Sequence, residues 1–324
     1  MKKSLWKTKK RESRQTRGDT ILVPRQETKL VPKTIAAKDY QATKQGKKFR
    51  LKQPPKPKSI KPLERSYFND LQKMNEALQR AFERYIAPQL PSIIRVALSG
   101  RPQEDSLKVD AYDDMLDQAF NDAKSSFYRE YTDEELQNMV SRIATAVNVY
   151  NLTELKQTFK VVLGIDYMNF EPWLVNEIRA FTKENISLIK TIPSQFFDQL
   201  EQQVLREIQA GTLTSEIASG IEKYYGATNK KAKKRAALIA RDQVNKFNGN
   251  LDMKRQMSVG IKKYIWVTSG DERVRGNPFG KYPKARPSHW EREGQTFKWS
   301  QPPEDGHPGQ PINCRCRAKP VFEE

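Results

Sequence analysis

His289-Trp-Glu-Arg-Glu-Gly-Gln-Thr-Phe-Lys-Trp-Ser-Gln-Pro-Pro-Glu-Asp-Gly-His307-Pro-Gly-Gln-Pro-Ile-Asn-Cys314-Arg-Cys316 holds both histidines and both cysteines of a 324-residue chain. Imidazole and thiolate are the side chains that most readily bind a transition metal, and nowhere else in the chain can supply either. The surrounding sequence is dense in proline, with Pro278, Pro283, Pro287, Pro302, Pro303, Pro308 and Pro311. A stretch so short of regular core needs another staple, and a metal is one candidate. Two readings stand side by side. In one, His289, His307, Cys314 and Cys316 are the ligands of a structural zinc ion, with Arg315 and Arg317 helping to keep the thiolates ionised. In the other, the four sit in a proline-rich fold held by packing and hydrogen bonds.

Immediately upstream, Lys263-Tyr-Ile-Trp-Val-Thr268 is β-branched and aromatic and predicts a strand covered on both faces. Trp266, Trp290 and Trp299 are expected core for a module with little other apolar mass. Asp271, Arg273 and Arg275 admit two arrangements: Asp271 caps a turn while an arginine grips a phosphate or carboxylate, or a buried ion pair ties the strand to its loop.

Further upstream the apolar period changes to that of helices. Leu63, Tyr67, Leu71, Met74, Leu78 and Phe82 make one stripe. Pro88 and Pro91 interrupt it, and a second run uses Tyr112, Leu116, Ala119, Phe120, Ala123 and Phe127. Thr132 with Glu135 predicts a capping box. Pro193 is expected in the first turn of a helix that runs to Gly211. Thr214 caps a short helix over 215–225 with Gly226 as its stop, and Thr228 or Asn229 caps a longer one. The longer helix carries Ala236, Ala240, Val244, Phe247 and Leu251, and its first turns hold the cations Lys230 to Arg235, which oppose the macrodipole. The expected fold class is α+β. A tail over 1–62 precedes helical regions over 63–165 and 166–258, and a small loop-rich β module follows over 259–324.

The tail carries most of the charge: 20 Lys/Arg against 4 Asp/Glu over residues 1–62, or +16 of the formal +19. It is too poor in apolar residues to offset its ordering entropy and is expected to be disordered, stiffened by prolines over 53–62. Lys2, Lys3, Lys7, Lys9, Lys10 and Arg11 lead an arm suited either to DNA phosphates or to a partner protein. Cysteine usage gives no disulfide framework. No apolar run of signal-peptide or membrane-spanning length occurs, so the expectation is a soluble protein made in a reducing cytoplasm. Walker-type, Gly-x-Ser-x-Gly and His-Glu-x-x-His motifs are absent. No complete catalytic constellation is seen, and the expectation is a non-enzyme. The alternative is an enzyme acting on nucleic acid or transferring a nucleotide through His289 and Asp271.

Between about Ile189 and Val321 the ordered motifs resemble the phage Mu F-like, or SPP1 gp7-like, minor head protein family. They are Ile192-Pro193, Gly211-Thr-Leu-Thr-Ser-Glu-Ile-Ala218, Ala236-Ala-Leu-Ile-Ala-Arg241, Trp266-Val-Thr-Ser269 with Asp271-Glu-Arg-Val-Arg275, Ser288-His-Trp290 with Gly294, and His307-Pro308 with Asn313-Cys-Arg-Cys316. Here residues Gly276 to Pro287 form an inserted loop between the arginine pair and His289. The resemblance implies a virion protein of a tailed bacteriophage, present in few copies and assembled in the host cytoplasm. It implies action near the portal protein and other head proteins in head morphogenesis, with DNA packaging or ejection as further roles, DNA contact through residues 1–62, and no membrane. Residues 63–165 carry no such resemblance.

Overall fold

The apolar stripe that begins at Leu63 lies along α1 (Lys61–Ala81), and Tyr67, Leu71 and Leu78 are fully buried. This is a computed structural model that describes residues 51–99, 106–167, 169–210 and 214–322, all within one compact unit spanning 44–324. The cationic run Lys2 to Arg11 lies outside the described residues. After α1 come a single π-helical turn (Phe82–Ile86), α2 (Leu90–Ser99), α3 (Ser106–Glu130), α4 (Asp133–Leu163), α5 (Leu174–Ala210) and α6 (Thr214–Ser258). Three short strands close the chain: β1 (Lys263–Val267), β2 (Thr296–Lys298) and β3 (Arg317–Val321). The α+β expectation therefore holds, as a helical body with a small sheet at its C-terminal end.

Several boundaries follow the chemistry of the sequence. Pro91 occupies the second position of α2, where its missing N–H has no intrahelical partner to lose. The Glu135 N–H donates to Thr132 Oγ1 at 3.2 Å, so Thr132 caps α4. Gly164 ends that helix in the left-handed region at φ 69°.

Others differ. Pro193 opens no helix: it lies inside α5, which is 37 residues long. An internal proline costs about 3 kcal/mol. Ile189, Ile192, Phe196, Phe197 and Leu200 are all buried around it, and each such side chain contributes roughly 1.5–3 kcal/mol. Burial wins. In the same way Gly226 does not stop α6, and Thr228 is a buried residue inside a helix of 45 residues. The cations 230–235 thus sit mid-helix, where the macrodipole argument has no force. At the junction with the tail, residues 51–60 form neither helix nor strand, yet they are docked: Leu51 packs against Leu155 and Phe159 of α4 and their neighbours, and Ile60 is buried.

The two expected helical regions share one core. α6 runs beside α5 and α1 and also meets α2 and α4. Its apolar stripe from Ala236 to Leu251 is buried as expected. Phe181 stacks on Phe247, and Phe82 stacks on Tyr225 with centroids 4.1 Å apart. A polar seam crosses this core. Tyr67 donates to Asn185 Oδ1 at 3.0 Å, and Asn185 Nδ2 donates to Gln243 Oε1 at 3.1 Å, linking α1, α5 and α6. Burial pushes the Tyr67 phenol far above its usual range, so it stays a donor.

The sheet has the order β2-β1-β3, antiparallel throughout, with Tyr264 opposite Phe297 and Trp266 opposite Ala318. Tyr264 and Trp266 are fully buried, while Lys263 and Ile265 on the other face of β1 are half-buried. Pro320 is tolerated because β3 is an edge strand. Trp266 and Trp299 are core, but Trp290 is 36 % exposed, because the turn that follows His289 faces outward.

The module is fastened to α6 by buried charge and by backbone contact. Arg317 of β3 reaches Asp252 of α6 (3.2 Å) and Glu154 of α4 (2.7 Å), and donates to the Lys58 carbonyl. Within the helical body, Arg255 of α6, fully buried, grips Glu171 of the segment between α4 and α5 with two bonds of 2.7 and 2.8 Å. Gln256 accepts from the Trp299 indole N–H and donates to the Ala318 carbonyl. Gly249 abuts the loop around Gly309 so closely that a Cβ there would lie 2.6 Å from the Pro308 carbonyl oxygen.

Gly249→Ala should therefore destabilise the protein by about 1–3 kcal/mol, because neither backbone can give way cheaply. Gly226→Ala, in the same helix with nothing within 4 Å, should stabilise it by roughly 0.5–1 kcal/mol. Paired denaturant melts check both signs.

Candidate metal centre and the adjoining cavity

His289 follows the inserted loop, and Cys314 and Cys316 lead into β3. The central strand β1 supplies the wall against which they meet: Trp266 lies edge-on to the His289 ring, centroids 5.2 Å apart. All three side chains are buried. His289 Nδ1 is 3.6 Å from Cys314 Sγ and 3.7 Å from Cys316 Sγ, and the three ligand atoms lie within 4.8 Å of one another. This is a group that could hold a metal ion.

The three donors fit three corners of a zinc tetrahedron, and among the described residues no fourth His, Cys, Asp or Glu joins the group. With zinc–sulfur bonds of about 2.3 Å and zinc–nitrogen bonds of about 2.0–2.1 Å, a tetrahedron has a nitrogen–sulfur edge of about 3.6 Å. The two nitrogen–sulfur separations match it. The far side of the imidazole is fixed as metal-bound histidines usually are: His289 Nε2 lies 2.7 Å from Asp305 Oδ2. Asp305 is itself held by Arg292 at 2.6 Å, and Arg275 approaches it at 3.5 Å. The Arg292 guanidinium also covers the Trp266 ring, 4.9 Å from its centroid.

The protonation states lean the same way. Burial opposes ionisation of Cys314, but Cys316, His289 and the Gly309 N–H together hold its pKa well below the ordinary thiol value. Cys316 is pushed well above it, first by its contact with Cys314 and then by burial. Burial would lower the pKa of His289, yet the Cys314 thiolate and Asp305 raise it. Burial would raise the pKa of Asp305, and its bonds to His289 and Arg292 lower it instead.

The remaining residues singled out in the sequence divide. His307 stands apart from the other three. Its Nδ1 lies 2.9 Å from the Tyr264 hydroxyl and its ring packs edge-on to Trp299, so it serves as a buried hydrogen-bonding aromatic. Asp271 performs both tasks foreseen for the acidic residue. Oδ1 accepts from the Arg273 N–H at 3.0 Å, capping a turn, and Oδ2 pairs with Arg315 at 2.6 Å. The ion pair is thus with Arg315 and not with Arg273 or Arg275. Arg275 instead donates to the Ile312 carbonyl at 2.9 Å. Arg317 is committed to Asp252 and Glu154 and does not act on the thiolates. Reading the sequence missed Asp305 and Arg292, and met Arg241 only as the end of the Ala236–Arg241 motif. Asp305 and Arg292 have no spacing that marks them, since loop closure alone brings them to His289.

Beside the cluster lies a cavity of about 310 Å³. His289, Cys314 and Cys316 form part of its wall, and Arg241, Arg273, Arg275 and Arg315 form much of the rest. Arg241, from α6, donates to Asn313 Oδ1 at 3.1 Å; burial, then the charges of Arg273 and Arg315, lower its pKa. Asn313 holds φ 60°, with its N–H donated to Asp242 of α6.

Residues 198–278 match the family described as "Phage Mu protein F like protein", so the chain carries a Mu F-like domain. The matched segment takes in the end of α5, all of α6, β1 and the turn after it, and stops before His289. An uncharacterized protein of Haemophilus influenzae (strain ATCC 51907 / DSM 11121 / KW20 / Rd) is 36 % identical over 193 residues, covering 58 % of this chain and 40 % of its own length. The chain thus spans well under half of that relative. No solved structure matches it. Among the described residues, no helix is long and apolar enough to cross a membrane.

Asp305→Asn should destabilise the module by about 1–3 kcal/mol, since it leaves Arg292 and His289 facing a neutral amide. The pH dependence has a definite sign. A carboxyl held below its unfolded value stabilises above that value, about 3.9, and the contribution fades as pH falls through the lower folded value. Acid melts of the wild type should show this loss, and those of the variant should lack it.

Proposed function

We propose that the chain is a minor head protein of a tailed bacteriophage, incorporated into the virion in few copies at the head interior or portal region. The observation that carries this is the Mu F-like domain over residues 198–278. The buried seam supports it, because that domain cannot be separated from the helices before it or the sheet after it. The portal protein and other head proteins are its partners in this reading. Residues 1–62, with their +16 charge, supply contact with packaged DNA, and packaging or ejection is where that contact acts.

The His289, Cys314 and Cys316 group serves this role as a staple that holds zinc. The cation would neutralise buried thiolate charge and join the loop before β2 to the start of β3, in a region with little apolar core. A second reading, an enzyme acting on nucleic acid or a nucleotide, draws support from the His289–Asp305 pair at the cavity wall. Asp305, not Asp271, would be the orienting carboxylate in it.

Purified virions should contain the protein, and phage lacking the gene should give defective heads. Normal heads without it, or its absence from virions, would sink the head-protein reading. Elemental analysis should find about one zinc per chain. Cys314→Ser and Cys316→Ser should lose the metal, whereas His307→Gln should keep it. Removing residues 1–50, which leaves the docked segment and the start of α1 in place, should abolish salt-sensitive DNA retardation by the purified protein.

A further inference from the structure

The cavity beside the cluster is electrostatically unusual. Arg241, Arg273, Arg275 and Arg315 are among the residues that line it, and no aspartate or glutamate is. The nearby carboxylates have other partners: Asp242 pairs with Lys246 and accepts from the Asn313 N–H, and Glu64, whose charge reaches Arg241, accepts from Asn245. Asp271 is taken by Arg315, and Asp305 by Arg292 and His289. Arg241 is half-buried and Arg273 exposed, and neither has a carboxylate within ion-pair distance among the described residues. Like charges gathered at a partly buried site repel one another, and at an effective dielectric near 20 each close pair costs on the order of kcal/mol. A fold tolerates that cost most readily where a ligand of opposite charge relieves it.

We propose that this cavity binds a phosphate-bearing ligand, clamped by the forked donors of Arg241 and Arg273. Guanidinium presents paired N–H groups in the plane that phosphate oxygens match. Asn313 and Ser269 add neutral polar atoms to the same wall. The volume lies at the lower end of small-molecule sites, roughly 300–1,000 Å³, which leaves room beyond a bare phosphate. Tyr282, contributed by the inserted loop and 54 % exposed, offers a ring against which a base can stack. The shared chemistry is the phosphate, and its sources are free phosphate and a nucleotide. This site does not depend on the head-protein reading, because it follows from the cavity alone.

Calorimetric titration of the purified full chain with inorganic phosphate and with adenosine monophosphate, at one fixed ionic strength, tests it. At least one should bind saturably. Arg273→Gln and Arg241→Gln should each weaken that binding about tenfold or more, the scale of one charge-assisted bond. Arg95→Gln, an exposed residue of α2, should leave it unchanged. Arg273 is exposed, so its variant keeps the test valid if Arg241→Gln melts early. Tyr282→Ala weakening only the nucleotide assigns that source; equal binding of both ligands, untouched by Tyr282→Ala, assigns free phosphate. No saturable heat from either ligand, or affinity that survives Arg241→Gln and Arg273→Gln, overturns the proposal.

Discussion

Arg317 is the point at which helices and sheet become one structure. Its guanidinium leaves β3, enters the body and meets Asp252 from α6 and Glu154 from α4. Burying three charges costs several kcal/mol for each ion, and only close, fully satisfied geometry returns it. Here Asn151 adds a 2.6 Å bond to Asp252, and the Lys58 carbonyl takes another guanidinium proton. Burial lowers the affinity of Arg317 for its proton and the two carboxylates more than restore it, so the group remains a cation. Apolar residues of the same volume would pack such a junction at less cost. What the charges add is a single register for β3 on α6, and β3 carries the two cysteines on its approach.

That register matters because the metal group tolerates little error. Nitrogen–sulfur separations near the edge of a tetrahedron depend on how β1, the turn after Ser288 and the residues before β3 are mutually placed. Gly249 and Gly309 set one of those placements by backbone contact, and Gln256 sets another by bonding both Trp299 and Ala318. The cations around Asp305 are arranged from behind the cluster, while those of the cavity face its open side. One small module thus holds two neighbouring electrostatic problems, thiolate charge in its core and guanidinium charge at its surface.

Much of this was legible in the chain. Three- and four-residue apolar spacing located α1, α3 and the second half of α6, Thr132 and Glu135 marked the start of α4, and the aromatic run 263–268 marked β1. The co-location of His289, Cys314 and Cys316 was visible too. The failures have physical causes. Pro193 and Gly226 looked like boundaries because local propensity disfavours them inside helices, but buried neighbours on α5 and α6 outweigh that local cost. His307 looked like a ligand from composition alone, which cannot show that the Tyr264 hydroxyl claims its nitrogen. Arg255 left a trace that was open to reading: it extends the series Val244, Phe247, Leu251 by four, placing a cation on the apolar face, where a buried partner is required. Asp305 left none, since the contact between residues 289 and 305 is made by loop closure.

The continuity of α6 bears on what counts as a part of this protein. By composition the chain changes character near residue 259, where helix gives way to strand and loop. Physically no seam exists there. A fragment beginning at that point would carry Arg317 away from both its carboxylates and expose the face on which Trp299 and Ala318 meet Gln256. A fragment ending there would strand Asp252 without its guanidinium. Secondary structure switches at residue 259, but the folding unit runs straight through it, and an exchange of this C-terminal module that keeps its contacts has to carry the second half of α6 along.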